Sequence, residues 1–85
     1  MKKEDIKNGM LVKLRKGCWC LTVEYKGMFV FTNGKSPVAQ LINYSDSLNN
    51  GLNSNFDIVA VAMPSKPNLV KLNDGGLDVI WERRE

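Results

Sequence analysis

The stretch Cys18-Trp19-Cys20 is where this 85-residue chain carries its most reactive side chains. Two thiols can in principle ligate a soft metal, close a disulfide or supply a nucleophile. At i, i+2 spacing in an extended strand, both leave the same face and are badly aimed at each other for a disulfide, so they read as reduced thiols of a reducing compartment. A structural zinc site needs four ligands. The chain holds two cysteines and no histidine, so four ligands would require two copies of it. The missing histidine also removes the commonest general base and the usual activator of a cysteine nucleophile. Asp74 and Asp78 bracket a turn, and Glu82 and Glu85 stand in a charged tail, positions that favour solvated carboxylates over acid–base work. Gly75-Gly76 lacks the strand-to-helix setting and third glycine of a phosphate-binding loop. The expectation is a protein without a catalytic site, metal or cofactor, and not an enzyme.

Binding residues are easier to nominate. Residues 1–35 hold eight Lys/Arg against three acids, whereas residues 36–85 hold four against six. Within the basic half, Lys13, Arg15, Lys16 and Lys26 are interleaved with aromatic residues, a composition compatible with phosphate contacts and base stacking. A strand with one solvated face alternates in the same way, and Phe29 and Phe31 are expected in the core. Trp19, Tyr25 and Trp81 are the candidate anchors for a protein partner, provided that the strands carrying them keep a face open.

The elements that must position these residues are strands. The chain opens with a tight turn at Asn8-Gly9. Over residues 10–15, Val12 and Leu14 alternate with Lys13 and Arg15, the period of a half-buried strand, and Lys16-Gly17 closes it. In residues 18–25, Trp19, Leu21, Val23 and Tyr25 share one face and Cys18, Cys20, Thr22 and Glu24 the other; the bulkier set is expected to face the core. Lys26-Gly27 turns the chain into a third strand over residues 28–32, ended by Asn33-Gly34. Ser36-Pro37 interrupts, and residues 38–44 are assigned to a fourth strand, with a helical turn as the alternative. Residues 45–55 read as a surface loop, pinned by Leu48 or Leu52. Residues 56–63 form the most apolar strand and are expected to be central. Residues 64–67 carry two prolines and form an extended connection. Residues 69–72 and 77–81 are expected to form a hairpin around Asn73-Asp74-Gly75-Gly76, and residues 82–85 to fray. Of the nine asparagines, several crowd the loop.

The length and the composition, 44% hydrophobic and 25% charged, predict one globular domain over residues 1–85 with a modest core. Short strands at this spacing predict an all-β fold, a small SH3-like barrel of five to seven antiparallel strands, with an OB-like barrel second. The first ten residues have no apolar stretch of the kind a secretory signal needs, and the longest apolar run, residues 58–63, is too short to span a bilayer. No membrane association is expected, and a cytoplasmic monomer or homodimer is.

Three segments also carry a resemblance. The opening Glu4-Asp5-Ile6-Lys7-Asn8-Gly9-Met10-Leu11-Val12, the stretch Phe56-Asp57-Ile58-Val59-Ala60-Val61 and the ending Ile80-Trp81-Glu82-Arg83 together resemble small phage- and prophage-encoded proteins of low-GC Gram-positive bacteria. The resemblance implies an SH3-like barrel in a bacterial host cytoplasm and no active site, since the group is largely without assigned function. Cys18-Trp19-Cys20 and the asparagine-rich loop depart from it. The expected function is a non-enzymatic module that binds a host or phage protein, as an adaptor or as an inhibitor of a host factor such as a defence system. The alternative is a nucleic-acid-binding barrel that uses Lys13, Arg15, Lys16 and Lys26.

Overall fold

A computed structural model describes residues 1–64 and 77–84. The expected connection at 65–67, the hairpin arm at 69–72 and the turn at 73–76 lie outside the described residues. Six antiparallel strands, β1 (Leu11–Leu14), β2 (Trp19–Tyr25), β3 (Met28–Thr32), β4 (Pro37–Gln40), β5 (Ile58–Pro64) and β6 (Leu77–Glu82), form one open sheet in the order β4-β3-β2-β1-β5-β6. Three 3₁₀ turns, Lys3–Asp5, Leu41–Asn43 and Ser54–Phe56, complete the described elements. The fold is therefore all-β, a small antiparallel sheet consistent with the expected small barrel, with a strand count inside the expected five to seven. No helix among the described residues is long and apolar enough to cross a membrane.

The turns set the registers. Lys26 and Gly27 both adopt positive φ, 51° and 80°, so they form a two-residue primed turn that places Tyr25 opposite Met28 and, three pairs on, Thr22 opposite Phe31. β1 pairs Val12 with Cys20 on one side and with Val61 on the other. Directly opposed residues share a sheet face, so Val12, Cys20, Thr22, Phe31 and Val61 all point to the inner side. There they pack with Ile6, Leu14, Leu41, Tyr44, Leu48 and Ile58 in one buried cluster.

This arrangement reverses the expectation for β2. Cys20 and Thr22 are 0% exposed, whereas Trp19, Leu21 and Val23 are half-buried and Tyr25 is 60% exposed. The reason is volume. The rings of Phe31 and Tyr44 meet edge to face at 5.5 Å, and Leu48, Ile6 and Ile58 crowd in beside them, so β2 contributes small side chains at these positions. A tryptophan or leucine there would overpack the core. Phe31 is fully buried and Phe29 packs against the cluster, as expected.

The predicted fourth strand holds only in its first half. Pro37 opens β4 at the sheet edge, where a missing N–H breaks no ladder bond. After Gln40 the chain winds into the Leu41–Asn43 turn. Leu41 and Tyr44, three residues apart, both reach the core; a strand would send them to opposite faces, and a 3₁₀ turn brings them to the same one. The fifth strand likewise starts two residues later than expected, because Phe56 closes the Ser54–Phe56 turn. As expected, β5 lies within the sheet, between β1 and β6.

The loop 45–55 is pinned by Leu48, which is fully buried, while Leu52 is 80% exposed. Leu48 holds φ 66°, an uncommon conformation for a leucine that its burial and the bond from Leu48 N–H to the Ser45 carbonyl maintain. Asparagines satisfy the backbone here. Asn50 Oδ1 accepts from the N–H groups of Leu52 and Asn53, and Asn53 Oδ1 accepts from Asn55. Asp57 is buried and accepts from Asn50 N–H at 2.7 Å through Oδ1, and from Arg15 Nη2 at 3.4 Å through Oδ2. The tail is also anchored where fraying was expected. Glu82 ends β6, and the Arg83 guanidinium donates to the carbonyls of Ile58, Ser47 and Leu48. Those oxygens leave one cation in reach of three acceptors, which fixes the chain end to the loop.

Candidate docking face

The sheet has a second side, and β2 supplies its centre. Trp19, Leu21, Val23 and Tyr25 run along one face at period two. Across them stand Lys13 of β1, opposite Trp19, then Thr32, Val30 and Met28 of β3 opposite Leu21, Val23 and Tyr25. Pro37 and Gln40 of β4 extend the same rows. Tyr25 and Met28 are exposed at 60% and 42%, and the others named on β2 and β3 are half-buried.

An open depression of about 270 Å³ lies in this face, lined among the described residues by Val23, Tyr25, Val30, Thr32 and Pro37. Its walls are apolar. The Thr32 hydroxyl donates to the Ser36 carbonyl and accepts from Gly34 N–H, so its polar atom is committed to the turn that leads into β4. Towards β5 the face closes, because Leu11, Ala60 and Ala62, which share it, are buried. The apolar area around the depression therefore lies on β2, β3 and β4, separated by these buried residues from Val79 of β6, which pairs with Ala62 and is again exposed.

The nominated anchors separate. Trp19 and Tyr25 belong to this outer face. Trp81 pairs with Val61 and lies on the inner side, half-buried against the core, with the Arg83 guanidinium 5.6 Å from its ring. Val30, Thr32 and Pro37 went unnominated because neither charge nor aromaticity marks them; the two-residue turn at Lys26-Gly27, which fixes the pairing, is the signal that could have found them.

The four nominated cations do not form one surface. Lys13 is half-buried beside Trp19, so its alkyl stem covers the sheet. Arg15 is tied to Asp57 both by its guanidinium and by its N–H, which donates to the Asp57 carbonyl at 2.8 Å. Lys16 stacks over Phe56 at 4.8 Å, and Lys26 lies over Tyr25 at 5.3 Å, at the opposite end of β2.

Chemistry stays quiet. Cys18 and Cys20 are free thiols, and burial, reinforced by the neighbouring Cys18, pushes the Cys20 thiol up to about 12, far from a reactive thiolate. Burial also raises Tyr44, whose hydroxyl donates to the Phe56 carbonyl at 2.6 Å. Among the described residues no three His, Cys, Asp or Glu side chains come together as metal ligands would. Asp78 and Glu82 are exposed on β6; Asp74, Glu85 and Gly75-Gly76 lie outside the described residues.

Compared with models of protein families, with curated proteins and with solved structures, the chain matches none.

Proposed function

We propose that this chain is a protein-binding module without catalytic activity of its own, and that it docks its partner on the outer face of β2, β3 and β4. One observation carries the reading: β2 turns its bulkier and more apolar side, Trp19-Leu21-Val23-Tyr25, away from the core, where it contributes nothing to the main cluster. An apolar surface left open in this way has a cost in solubility that a partner's burial of it removes. Tyr25 and Trp19 supply the aromatic area that dominates binding energies. The resemblance to phage and prophage proteins adds the setting, a bacterial cytoplasm in which the partner is a host or phage protein and the module an adaptor or an inhibitor.

The alternative, a nucleic-acid barrel, draws on Lys13, the cross-strand neighbour of Trp19, and on Lys26 over the Tyr25 ring, both on the outer face. It is the weaker reading, since Arg15 is engaged with Asp57 and the centre of the face is aliphatic where stacking needs rings.

Affinity capture from bacterial lysate tests the choice. The full chain and its Val30→Glu variant serve as baits, with and without nuclease. A protein held by the wild type under both treatments and lost with Val30→Glu supports docking on this face. Recovery abolished by nuclease supports the nucleic-acid alternative instead, and a protein held equally by both baits contradicts the assignment of the face.

A further inference from the structure

We infer that the partner segment is acidic: a short extended stretch that seats one apolar side chain between Tyr25 and Pro37 and sets carboxylates against lysines at both ends of the face. The inference rests on the protein-docking reading above and adds the chemistry of the occupant.

Charge placement around the depression identifies the occupant. The depression is walled by Val23, Tyr25, Val30, Thr32 and Pro37 and offers nothing polar at its centre, so an apolar side chain is its fitting occupant. Its rim is different. Lys26 stands in the β2–β3 turn next to Tyr25, and Lys35 in the β3–β4 turn two residues before Pro37, both exposed. Tyr25 beside Lys26, and Leu21 in the row of Thr32 and Pro37, lie four residues apart on β2, about 13 Å at strand rise. Five or so extended residues of a partner therefore reach from one lysine to the other. Lys13 adds a third cation beside Trp19.

The described acid of this face, Glu82 of β6, stands in the row of Lys13 and Ala60, two strands beyond Lys13 and away from Lys26 and Lys35. Between residues 11 and 40 the sole acidic residue is Glu24, which has the register of the inner face. An apolar seat between exposed lysines attracts carboxylates and repels cations within about a Debye length, ~8–10 Å at ordinary salt. The same arrangement disfavours a second copy of this chain as the occupant, because two such faces would bring lysine to lysine.

The probe is a displayed library of random peptides about twelve residues long, panned on the immobilised full chain at low salt. Enriched peptides are then titrated against wild type, Lys26→Glu/Lys35→Glu and Val30→Glu. Circular dichroism checks each variant for folding, and the lysine variant changes only exposed turn positions. The expected result is enrichment of Asp and Glu around a central apolar residue. Binding should weaken about tenfold or more in both variants, and also between about 50 and 500 mM salt.

Peptides without acidic bias that bind the lysine variant as wild type but lose affinity for Val30→Glu overturn this inference and leave the docking reading standing. If no peptide distinguishes Val30→Glu from wild type, both fall. Tight binding of an oligothymidine probe through the same face, or concentration-dependent dimerisation abolished by Val30→Glu, overturns the acidic peptide as occupant.

Discussion

The two sides of β2 differ in the opposite sense from their composition. The inner side, Cys20 and Thr22, is small and partly polar yet sealed, and the Thr22 hydroxyl has no hydrogen-bond partner among the described residues. The outer side, Trp19-Leu21-Val23-Tyr25, is bulky and apolar yet half-open. Hydrophobicity along one strand ranks its faces only when nothing else fills the space; here Phe31, Tyr44, Leu48 and Ile6 fill it first. What remains on the outer side is surplus to the fold, and that surplus is the reason to read it as a binding surface.

The contrast should be sharpest where the inner side is cut. Phe31→Ala is expected to cost about 3–5 kcal/mol, much of the stability of a domain this size, so urea unfolding should find it marginal or unfolded. Val30→Ala, one residue away on the outer side, should cost well under half of that. Leu48→Ala is expected to lose about 2–4 kcal/mol by the same cavity argument, while Leu52→Ala, at the exposed position of the same loop, should shift the urea midpoint little.

Arg83→Ala removes the cation shared by three carbonyls and should cost about 1–3 kcal/mol; Arg84→Ala, at an exposed neighbour, is the control. A pH series probes the inner side more gently. Because folding raises the Cys20 thiol from 9.0 to about 12, the unfolded chain ionises first. Stability is then fully present below about pH 9 and is lost as the pH rises toward 12, with Tyr44 adding to the fall in its higher range. Cys20→Ala should flatten the first part of that slope in urea titrations taken at successive pH values. The smallest effect belongs to the outer rim, where Lys26→Glu/Lys35→Glu should change stability by about 0.5 kcal/mol or less, whatever it does to binding.

Much of this fold was legible in the chain. Alternation marked β1, the run between two glycine turns marked β3, and those turns marked their ends, since Gly17 and Gly27 hold φ 107° and 80° where other residues resist. The reversal of β2 was present too, though only in combination. Lys26-Gly27 as a two-residue turn and Phe31 as a core residue together require Thr22 to face inward, and with it Cys20. Read strand by strand, the larger side chains win, and they are the wrong ones. Arg83 was illegible for another reason: its acceptors are backbone carbonyls of Ser47, Leu48 and Ile58, which carry no side-chain signature. The asparagines of the loop gave their class, turn formers, without their pairings. Of the candidate site, Trp19 and Tyr25 could be nominated by type, but the aliphatic seat between them and β4 follows only from the register.

The most direct test of the account compares Thr22→Glu with Val23→Glu, two adjacent residues on opposite sides of β2, in urea unfolding followed by circular dichroism. Thr22→Glu, which buries an unpaired carboxylate, is expected not to fold. Val23→Glu should fold cooperatively at a cost near 1 kcal/mol, the span of strand propensity. A folded Thr22→Glu beside an unfolded Val23→Glu would put the bulky face of β2 in the core and remove the docking surface with it.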